Sequence, residues 1–233
     1  MDNITVVVFT PKDDENTKDC VGSAKLLTEN IILVYPNSTF VETVRESGIK
    51  QAKTDWVLIL DADERLTNEL AKEIKSVISN QQFSYFKIPR KNVFGKVKWL
   101  KHGGWWPDYQ IRLINKKYFI DWPKRIHSTP KIKGNVGFLK NPIIHYFHGD
   151  LDKMVEKTIV FEDIESDLLH KAGRPATTST FFRKYLAELW RRLFKELGFL
   201  DGTLGVIESI YQAFSKTITY LFLYEKRNKS RTL

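Results

Sequence analysis

The sequence has little with which to build a covalent scaffold. Cys20 is its one cysteine among 233 residues, which excludes a disulfide framework and a thiolate metal cluster and fits a reducing compartment. A small buried hydrophobe is the expected role for that thiol. No apolar run approaches the roughly 20 residues needed to span a bilayer, and the amino terminus lacks the pattern of a secretory signal. The chain is therefore expected in the cytoplasm. Internal repeats and low-complexity segments are absent, and no specific nucleic-acid-binding motif accompanies the basic charge, so nucleic acid is not an expected partner.

What is present suits one large domain or one domain with an appendage. Hydrophobic residues make up 42% and aromatic residues 13%, enough to bury a core and to argue against disorder. The formal charge of +9 is unevenly spread. Residues 1–84 carry 9 basic and 14 acidic side chains, and residues 85–140 carry 14 basic and 2 acidic. Residues 141–180 are again acidic, and residues 181–233 carry 10 basic side chains against 5 acidic. A basic region inside the fold suggests an anionic substrate, and a basic, aromatic tail suggests a surface partner.

Strands are expected over residues 3–9 and 31–35, with helices over 17–27 and 41–52 between and after them. The next strand is the apolar run Trp56-Val57-Leu58-Ile59-Leu60. This β-α-β-α-β order implies right-handed crossovers and a parallel sheet. Thr67 is the expected N-cap of a further helix bearing Leu70, Ala71, Ile74, Val77 and Ile78 on its inner face. From about residue 83 the grammar changes to short strands, at 83–89, 96–100, 110–114, 137–139 and 143–147, with basic and aromatic residues interleaved.

The central run ends in Asp61-Ala62-Asp63-Glu64. If the extended backbone continues, its period of two places Asp61 and Asp63 on one side, beyond the carboxyl end of a buried strand. Two hard oxygen ligands there suit Mg²⁺ or Mn²⁺, with positions left for waters and phosphates. An acidic turn after a core strand is the plainer alternative. Further on, His102-Gly103-Gly104-Trp105-Trp106-Pro107-Asp108 sets two indoles in a loop. Trp105 and Trp106 offer flat apolar faces to a sugar ring, unless one of them packs in the core.

Beyond residue 150 the chain reads as helical. A helix over 151–170 is followed by a breaker at 173–179, and Phe181, Phe182, Tyr185, Leu186, Leu189, Trp190, Leu193, Phe194 and Leu197 then form one unbroken helical stripe. Arg183, Lys184, Arg191, Arg192 and Lys195 lie largely off it. Such a helix suits an anionic membrane surface, with Phe181, Phe182, Trp190 and Phe194 down and Arg191 and Arg192 toward lipid phosphates. Packing on the protein body or on a twin subunit is the alternative. A last helix is expected over 203–224, with a basic end.

These features together resemble the inverting family 2 glycosyltransferases of GT-A fold, and in particular the small lipopolysaccharide-core branch. The resemblance covers most of the chain. Thr10-Pro11-Lys12-Asp13-Asp14-Glu15 stands where that family has a Thr-Lys-Asn-Glu loop, and Cys20-Val21 with Ser23 matches the helix after it. The stretch from Asp55 to Glu64 is similar to the family's metal motif. Trp106-Pro107-Asp108 with Arg112-Leu113 resembles its acceptor-side motif, and Ile126-His127 its Val-His-Glu. His145-Tyr146 and Gly198-Phe199-Leu200-Asp201-Gly202 also match, the latter between membrane-associating helices. There are departures. Tyr35-Pro36-Asn37-Ser38-Thr39-Phe40 replaces the family's Asp-Ser-Gly-Ser-Thr-Asp, whose first aspartate recognises the nucleotide base, and Ser128 replaces the glutamate of Val-His-Glu.

The resemblance implies an α/β, GT-A-like (Rossmann-like), mostly parallel sheet with helices on both faces and a C-terminal amphipathic helical appendage. Residues 1–150 would be the transferase domain, with a donor and metal half over 1–84 and an acceptor half over 85–150, and residues 151–233 the membrane-associating region. Asp61 and Asp63 would hold Mn²⁺ or Mg²⁺, Asp108 would be the base, and Lys12, Arg112, His127 and His145 would lie near the donor's diphosphate. The implied partners are a nucleotide-sugar donor, a lipid-linked or lipopolysaccharide-type acceptor and the inner face of a membrane. A homodimer through the C-terminal helices is a further expectation. The rivals are a catalytically impaired relative that binds glycolipid or membrane, and a haloacid-dehalogenase-type phosphatase using Asp61 as nucleophile and Gly149-Asp150-Leu151-Asp152 as its later acidic motif. Against the phosphatase, Arg65 stands where that group carries Thr or Val.

Overall fold

The computed structural model describes residues 3–36, 41–79, 82–125, 128–147 and 151–229. Residues 37–40, His127 and Asp150, on which several expectations fall, lie outside that set. In chain order the elements are β1 (Ile4–Phe9), α1 (Glu15–Ala24), β2 (Ile31–Val34), α2 (Glu42–Gln51), β3 (Trp56–Asp61), β4 (Glu64–Arg65) and α3 (Asn68–Ile78). There follow β5 (Tyr85–Phe94), β6 (Lys98–Trp99), β7 (Asp108–Asn115), β8 (Phe119–Asp121), β9 (Lys131–Ile132), β10 (Val136–Phe138) and β11 (Ile143–Phe147). The helices α4 (Leu151–Lys171), α5 (Thr178–Trp190) and α6 (Gly202–Lys229) complete it. Thr67 caps α3 as expected, its hydroxyl accepting from the Leu70 amide.

The main sheet runs β2-β1-β3-β7-β5-β11-β4, with β10 and β6 also paired to β5. Strands β2, β1 and β3 are parallel, each crossover made by a helix. Beyond β3, β7 pairs antiparallel with both β3 and β5. On the other side of β5, β10 pairs parallel with it and β6 antiparallel, so this half of the sheet is mixed. Both faces are covered, as the α/β reading requires. Val6, Val8, Leu58 and Leu60 pack with Cys20 and Ala24 of α1 and Leu70 and Ile74 of α3, while Val7, Phe9, Val57 and Ile59 pack with Ile49 of α2 and with Trp122. That is why β3 reads as an unbroken apolar run: each fully buried side chain stabilises by about 1.5–3 kcal/mol.

The chain forms two compact units, residues 1–91 with 107–146, and residues 92–106 with 147–233. The second departs from the division expected at residue 150, because the segment 92–106 is hydrogen-bonded into the helices. The buried Asp201 carboxylate accepts the amides of Lys101 (2.8 Å) and His102 (2.7 Å) and pairs with His102 Nδ1 (3.0 Å). Gly103 N–H donates to Glu196 O, and Arg192 Nη1 to Gly103 O. Asp201 belongs to the Gly-Phe-Leu-Asp-Gly match, and anchoring this loop is what it does.

The stripe from Phe181 to Leu197 is not one helix. Helix α5 ends at Trp190, a π-helical turn runs over Arg191–Lys195, Leu197 takes a left-handed conformation (φ 57°), and a 3₁₀ turn over Gly198–Asp201 leads into α6. The α5–α6 hairpin closes on two glycines. A Cβ on Gly205 would stand 2.0 Å from Gly198 O, and one on Gly198 2.7 Å from Arg192 O. No described helix is long and apolar enough to cross a membrane.

Replacing Gly205 by alanine must therefore push the hairpin apart, and is expected to lower stability by about 1–3 kcal/mol. Gly22→Ala in α1, where nothing stands within 4 Å of the added Cβ, serves as the control and should be neutral or stabilising. Chemical denaturation of the two variants checks this; equal midpoints would refute the close approach.

Candidate active site

Strand β3 stops at Asp61, and the chain then turns through Ala62 and Asp63 before β4. The extended backbone expected to place Asp61 and Asp63 on one side is absent: Ala62 N–H makes the last ladder bond, to Phe9 O of β1, and the chain turns through Ala62 and Asp63. Two residues of α1 clasp it. Cys20 Sγ donates to Asp61 O (3.5 Å), and Ser23 Oγ accepts from Leu66 N (3.1 Å) while donating to Cys20 O. This gives a physical reason for the Cys-Val-x-Ser pattern. Burial pushes the Cys20 thiol well up from its ordinary value, so it stays protonated and inert.

Asp61 is committed to two arginines. Arg45 Nη2 donates to Oδ1 (2.9 Å) and Oδ2 (3.1 Å), and Arg112 Nη2 to Oδ2 (2.6 Å). Arg112 Nη2 also meets Glu64 Oε1 (2.7 Å), while Glu64 Oε2 accepts the Asp61 amide (3.0 Å). Glu64 is wholly buried and is followed by Arg90 (3.7 Å). Arg90 in turn donates from Nε (2.8 Å) and Nη2 (2.6 Å) to Asp108 Oδ2, and Gln110 Nε2 bonds Asp108 Oδ1 (2.6 Å). Charges thus alternate along Arg45, Asp61, Arg112, Glu64, Arg90 and Asp108. Arg45 lies between the Phe9 and Trp122 rings, each centroid 5.1 Å away. Burial alone would push the Asp61 carboxyl up, but the Arg112 and Arg45 guanidiniums outweigh it and hold it well below the carboxylate range. Burial likewise opposes the charge on Arg112, and Asp61 and Glu64 overcome it.

The sequence reading placed Arg112 on the diphosphate; the structure buries it against Asp61 and Glu64. It did not name Arg45, Glu64 or Arg90 as functional, and only the acidic character of Glu64 signalled it. Asp63 is different. Its side chain is 37% exposed, with His145 Nε2 3.6 Å from Oδ2, and Tyr146 N–H donates to its carbonyl. Pairing of β11 with β4 sets His145 opposite Glu64 and so beside Asp63. No group of three His, Cys, Asp or Glu able to hold a metal exists among the described residues. Asp63 with His145 does supply one carboxylate and one imidazole, a fit for Mg²⁺ or Mn²⁺ that brings its remaining oxygens from phosphate and water. Lys12 is exposed on the loop after β1, at the strand end that β3 shares.

The tryptophans belong to the second unit. Trp105 packs on Phe147 (4.8 Å) under Arg192 (5.3 Å), and Trp106 meets Trp99 edge-on (5.3 Å). Of the stripe residues, Phe181, Tyr185, Leu189 and Leu193 are half-buried, whereas Phe182, Leu186, Trp190, Phe194 and Leu197 are exposed. Arg191 and Arg192 both pair with Glu188. Ser128, at the position of the family's glutamate, accepts from Trp122 Nε1 (3.0 Å).

No family model matches the chain. It is 29% identical to an uncharacterized glycosyltransferase of Rickettsia typhi over 99% of its own length and 82% of that protein. It is 23% identical to an uncharacterized glycosyltransferase of Rickettsia conorii over 100% of its own length and 93% of that protein. Among solved structures, S. aureus TarS 1–349 aligns over 97% of this chain and 91% of its own, with 13% identity and a TM-score of 0.44. Over essentially its whole length, then, the chain is a relative of proteins named glycosyltransferases.

Asp61→Asn should destabilise the fold as well as the site, by about 3 kcal/mol, because the buried Arg45 guanidinium loses its carboxylate and Arg112 keeps one of two. A depressed folded-state pKa means that the carboxylate's contribution is present above its ordinary value of 3.8 and is lost as pH falls through the folded-state value. The gap between wild type and variant should accordingly be full at neutral pH and narrow in strong acid. Urea unfolding across pH measures it, and a pH-independent gap would contradict the pairing.

Proposed function

We propose that the chain is an inverting glycosyltransferase that uses a nucleotide-sugar donor with Mn²⁺ or Mg²⁺ and acts on a lipid-linked or cell-envelope glycan at the inner face of a membrane. The observation that carries this reading is the turn beyond the carboxyl end of β3, where Asp61 is held by arginines and Asp63 stands beside His145. It occurs in a chain similar along its length to proteins named glycosyltransferases.

In this reading Asp63 and His145 would hold the cation, which would supply positive charge to the donor's diphosphate leaving group. Asp61 has a different task from the one its spacing suggested: it fixes Arg112 and Arg45 and keeps the strand end rigid. Lys12 supplies an exposed cation to the phosphates. Asp108 takes the proton of the acceptor hydroxyl as that oxygen attacks the anomeric carbon opposite the leaving diphosphate, so configuration inverts. Arg90 holds the carboxylate through Oδ2 and Gln110 holds it through Oδ1, which fixes its orientation. Trp106 remains the candidate sugar platform, since Trp105 is taken up by Phe147 and Arg192.

Screening hydrolysis of a panel of nucleotide-sugars tests the activity. Asp63→Asn should abolish the Mn²⁺ dependence of nucleoside diphosphate binding while leaving stability nearly unchanged, the reverse of Asp61→Asn. Asp108→Asn should keep donor affinity and lose about 10²–10⁴ in turnover. Unaltered turnover would move the base elsewhere. Metal and nucleotide binding by wild type without transfer to any acceptor lipid would leave the catalytically impaired reading.

Membrane contact rests on the exposed stripe, in which Phe182 is 66% and Trp190 63% exposed, flanked by exposed Arg183, Lys184 and Lys195. Sedimentation with anionic vesicles should exceed that with neutral ones and should weaken with salt, each cation near the surface contributing about 1 kcal/mol. Equal sedimentation with both would remove the electrostatic part of the proposal.

A further inference from the structure

Helix α6 carries an apolar stripe on its outward side. Its buried positions are Gly205, Glu208, Ser209, Ala213, Ser215 and Thr219, with the larger Tyr220 and Leu223 toward its end. Ser215 and Thr219 donate to Glu162 of α4, and Tyr211 shares a hydrogen bond with Thr158. The outer side carries Thr203, Ile207, Ile210, Phe214, Thr217, Leu221 and Tyr224, at alternating steps of four and three. Ile207, Ile210, Phe214, Leu221 and Tyr224 are each between 45% and 51% exposed. A repeat averaging 3.5 residues, held along the helix, is the spacing at which a second helix packs knobs into holes.

From this seam we infer that α6 pairs with α6 of a second copy of this chain, antiparallel, in a homodimer. The occupant is a helix rather than a bilayer on two grounds. The seam includes two threonines and no Trp, Lys or Arg, whereas the α5 stripe has a tryptophan and flanking cations. A lipid surface also has no use for a 3.5-residue repeat. Area agrees. Five large side chains, each half exposed, contribute on the order of 500 Å² per copy. Exposed Val155 and Ile159 of α4, next to the Met154 and Thr158 that Tyr211 contacts, bring this toward the roughly 800 Å² per partner of a standard interface. Charge sets the direction. Lys226 is paired with Asp163 and Asp167, but a parallel pair would still bring Arg227 and Lys229 of both copies together; an antiparallel pair sends these ends apart and aligns the helix dipoles favourably. Facing the seam's alternate layers across the pair leaves two antiparallel registers, with Ile207 opposite either Thr217 or Tyr224 of the second copy. This dimer is independent of glycosyl transfer and forms whether or not a sugar is moved.

Light scattering of the full chain at micromolar concentration, without detergent, should give twice the 27.3 kDa chain mass, and Ile210→Lys should give the single mass with an unchanged circular dichroism spectrum. Cysteine cross-linking with copper phenanthroline as oxidant fixes the geometry, since Cys20 is buried. Ile207→Cys alone and Tyr224→Cys alone should stay monomeric on gels. A mixture of Ile207→Cys chains with Thr217→Cys or Tyr224→Cys chains should yield the mixed disulfide. Self-linking of Ile207→Cys and Tyr224→Cys would overturn the antiparallel direction. A monomeric wild type, with the 207 thiol shielded from alkylation only when vesicles are added, would overturn the dimer and give the seam to lipid.

Discussion

The structure around the candidate site depends on one constraint: three arginines and three carboxylates, low in exposure, must neutralise one another in order. Arg45, Asp61, Arg112, Glu64, Arg90 and Asp108 satisfy it by alternation, each internal member touching an opposite charge on either side. Removing ions from water costs several kcal/mol apiece, and attraction offsets that only if every member is paired. The ladder ties α2, β3, β4, β5 and β7 at one end of the sheet. It also explains why the two aspartates of the acidic turn differ. Withdrawing Asp61 would strand Arg45 and leave Arg112 with one carboxylate in place of two, whereas Asp63 lies outside the ladder, 37% exposed beside His145.

The sheet was legible because its physics is local. Runs buried on both faces are apolar whichever strand lies next to them, so β1 and β3 could be read from consecutive residues, as could the short β-branched run of edge strand β2 and the cap of α3 at Thr67. The ladder was not legible in the same way. Arg45 and Arg112 stand 16 and 51 residues from Asp61, and nothing in the spacing says that an arginine on an amphipathic helix will be drawn inward by a carboxylate at a strand end. The turn at Ala62 escaped for a related reason. Alternation assumes that a strand continues, but β3 gives way to a turn at Ala62 and Asp63, where the Glu64 carboxylate folds back onto the Asp61 amide.

Periodicity served less well in the helices because it identifies apolar positions without saying which of them face inward. The stripe after Phe181 holds two sets. One, at Phe181, Tyr185, Leu189 and Leu193, turns toward neighbouring helices, and the other, at Phe182, Leu186, Trp190 and Phe194, stays outside. A stripe too wide for one contact is the sequence trace of a helix with two. The π-turn and the left-handed Leu197 were invisible for a different reason: they come from the pressure of Gly198 and Gly205 against each other, a contact between residues that look like ordinary turn glycines.

Helix α6 shows why a polar interior and an apolar exterior belong together. Small residues at Gly205, Ser209 and Ala213 let neighbouring backbones approach closely, and Glu162 finds its partners in Ser215 and Thr219 rather than in water. Of its large apolar side chains only Tyr220 and Leu223 turn far enough inward to be buried, and those of the outer stripe stay about half exposed. Tyr224 meets the Phe181 ring of α5 edge-on, but Ile207, Ile210, Phe214 and Leu221 stay about half exposed along one seam, and scattered exposed hydrophobes would not keep to a heptad. The seam is therefore the feature of this unit that its own fold does not explain, and a partner helix is the surface whose periodicity it matches.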